Sequence, residues 1–143
     1  MAKVVATTGK ACSGKTYYSN SINAVRLSVD DLILRMYDFC LGDKYLEAED
    51  RALLFLYSQA EQLVKKGIDV IIDYGFWYKY QREFCEKFFC KKNIAFEFVY
   101  FDVPFEQRLK WLNERNKILK NSTKREYILT QQMLIDFDKK YEE

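Results

Sequence analysis

An α/β fold in three layers, with a small parallel sheet of about four strands covered by helices on both faces, follows from three observations in this sequence. Short β-rich runs alternate with longer helical patterns, the run Val70-Ile71-Ile72 is almost continuously apolar, and a glycine-containing turn joins the first run directly to a helix-compatible stretch. Alternating strands and helices select a parallel sheet with right-handed crossovers, and a strand covered on both faces loses the polar alternation of a one-sided sheet.

Taken in order, residues 3–8 read as the first strand and residues 15 to about 23 as the helix opened by the turn. Residues 25–27 form a short second strand. Ser28-Val29-Asp30-Asp31 fits a capping box, in which Ser28 and Asp31 reciprocally satisfy backbone donors ahead of Leu32, Ile33, Arg35 and Met36, and Gly42 ends that helix. A long helix is predicted over about 44–66, from the spacing of Leu46, Leu53, Leu56, Tyr57, Ala60, Leu63 and Val64, with Gly67 as its stop. Residues 68–74 are the central strand, about 78–92 an aromatic-rich helix, and 96–103 the fourth strand. Pro104 suits the first position of a helix running to about 116, and Thr123-Lys124-Arg125-Glu126 forms a second capping box before a C-terminal helix. No linker, repeat or low-complexity segment intervenes, so residues 1–143 are expected to be one domain.

Composition narrows the class. With 23 basic and 21 acidic side chains, no charge bias selects a polyanion, so a nucleic-acid partner is possible but not favoured. No secretory leader and no 18-residue apolar stretch occur, which predicts a cytoplasmic protein without a membrane partner. The chain has no histidine, and Cys12, Cys40, Cys85 and Cys90 show no zinc-type spacing. Reduced thiols are expected, with Cys85 and Cys90 packing as small hydrophobes on a helix.

Gly9-Lys10-Ala11-Cys12-Ser13-Gly14-Lys15-Thr16 is a complete G-x-x-x-x-G-K-[ST] phosphate-binding loop in the strand-to-helix setting that its mechanism requires. Gly9, Ala11, Cys12, Ser13 and Gly14 would bring backbone N–H groups around phosphates, Lys15 would reach the β and γ oxygens, and the Thr16 hydroxyl would ligate Mg²⁺. Bound ATP and Mg²⁺ are therefore expected, with Cys12 the thiol that ATP should shield.

The C-terminal ends of parallel strands form one rim, where ligands of such sheets bind. Thr16, Asp30 and Asp73 all fall on it. Asp30 is the candidate base for a phosphoryl-accepting hydroxyl, and Asp73, after an apolar run, is expected to hold Mg²⁺ through water and to line the substrate site together with Asp30. Asp31 is explained by the capping box alone. Arg108 and Arg115, seven apart on one helix face, are expected to reach the phosphates. The aromatics at 76–78, Trp77 in particular, sit where an acceptor would be held.

Gly9 through Thr16, Leu27-Ser28-Val29-Asp30-Asp31, Val70 through Trp77, Arg82, Phe101-Asp102-Val103-Pro104 and Arg108 through Asn116 together resemble the AAA-type P-loop kinase-like ATP-binding proteins. That group is related to chloramphenicol phosphotransferase, zeta toxins and the kinase domain of polynucleotide kinase. The resemblance covers almost the whole chain and implies a P-loop NTPase fold. It also implies Lys15 and Thr16 on ATP and Mg²⁺, Asp30 as catalytic carboxylate, Arg108 and Arg115 as lid arginines, and Arg82 as a substrate or phosphate ligand. Two departures stand out: there is no fifth strand, and the lid is one short helix-loop. The leading functional expectation is transfer of the γ-phosphoryl of ATP to a hydroxyl of a small molecule held between Asp30 and the aromatics. Phosphorylation of a polynucleotide 5′-hydroxyl and a non-catalytic ATP-binding switch are the alternatives.

Overall fold

A computed structural model describes residues 1–37, 41–120 and 128–143. Its elements are β1 (Lys3–Gly9), α1 (Lys15–Ser21), β2 (Val25–Ser28), α2 (Val29–Met36), α3 (Tyr45–Lys65), β3 (Val70–Asp73), α4 (Lys79–Lys91), β4 (Ala95–Phe101), α5 (Phe105–Lys120) and α6 (Gln131–Asp138), with a 3₁₀ turn at Gly42–Lys44. The four strands form one parallel sheet in the order β2-β3-β1-β4. This is the three-layer P-loop fold that the strand-helix alternation predicts.

The burial of each strand matches its place in the sheet. β1 and β3 are central, and every residue of β3 is buried, as is β1 after Lys3. At the β4 edge, Phe96 and Phe98 turn into the core while Glu97 alternates to the surface, where it pairs with Lys3 at 3.0 Å. Val4, Ala6, Val70 and Ile72 meet Leu53, Leu56, Tyr57 and Ala60 of α3 and Cys85 and Phe89 of α4 in the main core. α1 packs on β1 and β3. Tyr57 is the hub of the aromatic cluster, with Phe88 and Phe89 at 5.4 and 5.6 Å between ring centroids.

Helix ends follow local chemistry. Gly67, at φ 81°, closes α3 with Gly67 N–H donating to Val64 and Ile68 N–H to Leu63, the paired bonds of a left-handed cap. Asn93, at φ 57°, does the same for α4, since asparagine tolerates that conformation. Half of the Ser28 capping box is present: Asp31 N–H donates to Ser28 Oγ at 3.2 Å, but the Asp31 carboxylate accepts from Arg26 instead of returning to the backbone. α2 ends at Met36 rather than at Gly42, which opens the 3₁₀ turn. α5 runs on to Lys120, and Pro104 stands one residue before it. The capping box predicted at 123–126 lies outside the described residues; α6 begins at Gln131 under a cap from Thr130 Oγ1, which accepts from Met133 N–H. Cys85 is buried as expected, whereas Cys90 is exposed on the outer side of α4.

Candidate active site

The phosphate loop joins β1 to α1, and its shape is written in backbone. Gly9 cannot carry a side chain: a Cβ there would lie 2.9 Å from Phe101 O and 3.0 Å from Ser13 Oγ. Cys12 and Gly14 both adopt left-handed φ, 60° and 92°, which turns the chain into a concave loop delivering α1 with its first N–H groups free. Lys15 folds back over this loop, Nζ donating to Gly9 O at 3.0 Å, Lys10 O at 2.6 Å and Ser13 Oγ at 3.2 Å. Burial lowers its pKa to about 8 against the opposing pull of Asp73 and Asp30.

On the rim beside the loop, Asp73 is buried at the end of β3 and carries three donors on one oxygen. Thr16 Oγ1 reaches Asp73 Oδ2 at 3.0 Å, and Arg26 Nε and Nη2 reach it at 2.9 and 2.7 Å. Arg26 also donates from Nη1 to Asp31 at 2.9 Å, so one guanidinium on β2 bridges two carboxylates. The pairing corrects the reading of Asp73 as a substrate residue: its charge is taken up by Arg26, and its place next to Thr16 suits an outer role through water. It equally corrects Asp31, whose carboxylate is an ion-pair partner and not a capping group.

Asp30, in the first turn of α2, retains surface exposed to solvent at the same rim. Crowding by the surrounding protein, followed by repulsion from Asp73, raises its pKa to about 6, and Lys15 and Arg115 pull the other way. The charges acting on it are therefore Asp73 at the end of β3, Lys15 of the loop, its neighbour Asp31 and Arg115 of α5. A second carboxyl faces it from α3: burial, then the charge of Asp30, pushes Glu49 up to about 8, while a hydrogen bond with Tyr74 pulls it down. Beside that pair, Gln81 Nε2 donates to Asp50 Oδ1 at 2.9 Å and Tyr74 Oη at 3.2 Å, and Tyr80 Oη to Asp50 Oδ2 at 2.8 Å.

α5 lays one face on the loop. Arg108, Trp111 and Arg115 recur at helical spacing along it. Arg108 is 2% exposed, donating to Val103 O at 3.0 Å and Ala11 O at 3.4 Å and forming a bidentate pair with Asp138 at 2.9 and 2.7 Å. All its reach is used inside the protein, so its expected role as a lid arginine gives way to a clamp that ties α5 and α6 to the loop. Arg115 does reach the loop, with Nη1 4.0 Å from Cys12 Sγ.

The aromatics after β3 are not an acceptor cradle either. Phe76 is fully buried in the core against Tyr74 and Phe98, in a left-handed conformation (φ 49°) that costs a bulky residue about 1–3 kcal/mol. Trp77 Nε1 donates to Gly9 O at 3.1 Å, its ring packs on Phe137, and a Cβ on Gly75 would lie 2.5 Å from Nε1. Trp77 therefore braces the loop from behind. Arg82 donates to the carbonyls of Phe76, at 2.7 Å, and Glu142, and sits over the Tyr141 ring. Those bonds commit its guanidinium to the C-terminal segment instead of the expected substrate or phosphate.

Sequence reasoning missed Arg26, Glu49, Trp111 and Asp138. Arg26 left a signal, a cation in the middle of a short strand beside one ending in aspartate; the others depend on which helix meets which, and pattern alone does not carry that. At the opposite end of the sheet lies a shallow depression of about 240 Å³ between Tyr18, Asn23 and Asp69. Its charges are already paired, Lys3 with Glu97 and the Lys3 N–H with Asp69.

The chain matches the family described as AAA domain over residues 4–136, and it belongs to that family. No curated protein sequence matches it. Among solved structures it superposes on a chain of the Pnkp1/Rnl/Hen1 RNA repair complex with a TM-score of 0.73 at 19% identity, covering 97% of this chain and 43% of that one. The APS kinase of Mycobacterium tuberculosis, solved with AMPPNP and APS, gives 0.62 at 18% identity over 96% of this chain and 98% of that one. A gluconokinase from Sinorhizobium meliloti gives 0.67 at 10% identity over 99% and 75%. This chain thus spans under half of the repair-complex chain. At these identities the likeness establishes the P-loop fold that kinases of several kinds share. Among the described residues, no helix is long and apolar enough to cross a membrane.

Proposed function

We propose that this chain, acting as one domain over residues 1–143, is an ATP-dependent phosphotransferase that moves the γ-phosphoryl of ATP to a hydroxyl of a small molecule. The observation that carries the reading is the pairing on one rim of a phosphate loop, closed by Lys15, with a solvent-reachable carboxyl, Asp30, whose pKa is raised to about 6. A base with a pKa near the working pH takes up a proton without being permanently spent by it. In the step itself the acceptor oxygen bonds to the γ-phosphorus, the bond to the β-bridging oxygen breaks, ADP leaves, and the hydroxyl proton passes to Asp30.

The residues present fit a magnesium ion: Thr16 offers a hydroxyl and Asp73 a carboxylate within 3.0 Å of each other, oxygen donors suited to a hard cation. Thr16 would ligate it directly and Asp73, already paired with Arg26, through water. Bound there, Mg²⁺ neutralises charge on the phosphoryl oxygens. Lys15 would cover the β and γ oxygens, and Arg115 the equatorial charge that develops in transfer. Arg108 positions α5 rather than touching substrate.

A screen for transfer of labelled γ-phosphate from ATP to sugars, nucleosides, antibiotics and 5′-hydroxyl oligonucleotides tests the reading. Labelled product lost in Asp30→Asn supports it; ATP binding with no transfer to any acceptor, and no effect of Asp30→Asn on slow hydrolysis, would favour a non-catalytic switch. The likeness to a chain of an RNA repair complex favours a second reading, an oligonucleotide acceptor. That reading requires binding that weakens steeply with salt.

A further inference from the structure

The face that α5 turns to the loop holds one large side chain that, among the described residues, no ring contact or hydrogen bond accounts for. Trp111 is 39% exposed although tryptophan is the largest apolar-bodied residue available. Its ring edge stands 3.9 Å from where a Cβ of Gly14 would lie, so it borders the junction of the phosphate loop with α1. Three residues before it, Arg108 is locked to Ala11 and Asp138; four residues after it, Arg115 reaches Cys12. The indole is therefore fixed at its base by a buried clamp and flanked by a cation, with part of its surface open at the last glycine of the loop.

We propose that Trp111 is the stacking platform for the base of the bound nucleotide. This rests on the reading of the loop as a nucleoside triphosphate site. The chemistry is general: every nucleobase has a π-face, and an open aromatic face beside a phosphate site takes it up with little loss of side-chain entropy. With Lys15 on the β and γ oxygens, the nucleoside leaves the loop from the other phosphate end, and Trp111 offers an open aromatic face bordering the loop at Gly14.

The test compares ATP with inorganic tripolyphosphate, which keeps the charges and lacks the base, by calorimetry on the full chain. Trp111→Ala should weaken ATP about tenfold and leave tripolyphosphate unchanged, while Trp111→Phe should retain most of the ATP affinity. In the unaltered protein, ATP should quench tryptophan emission that tripolyphosphate does not quench, and the Trp111→Phe variant should lose that difference. Equal losses for both ligands in Trp111→Ala, or a base-dependent quench that survives in Trp111→Phe, would overturn the proposal. An unaltered protein that binds neither ligand would instead overturn the nucleotide reading beneath it.

Discussion

The phosphate loop and the acceptor side of the rim share one sheet edge but are built on opposite principles. The loop is held by backbone: left-handed turns at Cys12 and Gly14, a glycine at position 9 that nothing else fits, and one side chain, Lys15, laid across its carbonyls. The acceptor side is held by charge: Arg26 between Asp73 and Asp31, Asp30 facing Glu49, and Asp50 fixed by Gln81 and Tyr80. A backbone site is the same in every chain that makes the turn, whereas a charge network takes its form from whichever helices meet there. Under the proposed function, it is the charge network and not the loop that would select the acceptor.

The contrast can be broken most forcefully at Asp30. Asp30→Asn should lower transfer by about 10²–10⁴ while ATP affinity stays within about twofold. Parallel single-turnover and calorimetric measurements decide it, and a matching loss of ATP affinity would place Asp30 in the loop's half of the site. Next in size is the clamp that joins the halves: Asp138→Ala leaves the buried Arg108 guanidinium unpaired and should cost on the order of 3 kcal/mol in urea unfolding. Lys15→Ala should follow, weakening triphosphate about 10- to 100-fold with monophosphate little changed. Equal weakening of both would show that the lysine acts on the loop's shape and not on the β and γ charges.

Acidity sharpens the same comparison. In the proposed reaction Asp30 is the base and must be ionised, so kcat/KM should fall about tenfold per unit below about pH 6. Lys15 works only when protonated, so it should fall again above about pH 8. A profile flat from 5 to 9 would remove both groups from the reaction. Stability runs the other way for Asp30: with its folded pKa above the ordinary 3.8, its contribution is whole below that value and is lost as pH rises through about 6. The smallest effect separates capping from charge pairing. Ser28→Ala should destabilise by about 1 kcal/mol through the lost N-cap, and Asp31→Asn by less than about 1 kcal/mol, because its pair with Arg26 is part-exposed.

What could be read from the sequence divides along the same line. Gly9 through Thr16 declare themselves because backbone geometry leaves a residue-by-residue trace, and β3 does so because burial on both faces leaves an unbroken apolar run. From sequence Arg108 reads as a phosphate ligand and Arg82 as a substrate or phosphate ligand, since an arginine in a helix near a loop looks the same whether it faces substrate or a partner inside the protein. Only the meeting of α5 with α6 and of α4 with the C-terminal segment separates those cases, and Asp138 and Glu142 lie 30 and 60 residues away. Phe76 and Trp77 misled for a related reason: the turn after β3 sends the first into the core and the second behind the loop.

The wall behind the phosphate loop is finished by residues from the far end of the chain. Thr8 Oγ1 meets Tyr141 Oη at 3.2 Å across 133 positions, Trp77 O accepts from Glu142 N–H, and Phe137 packs on the Trp77 ring that braces Gly9. During synthesis the glycine turn precedes its support by 133 positions, about 7–30 s at ordinary ribosomal speeds. Through that interval the emerging chain carries the nucleotide motif without the finished receptor for it. A ligand that binds the supported loop stabilises chains that include residues 137–142 over chains that stop short of them.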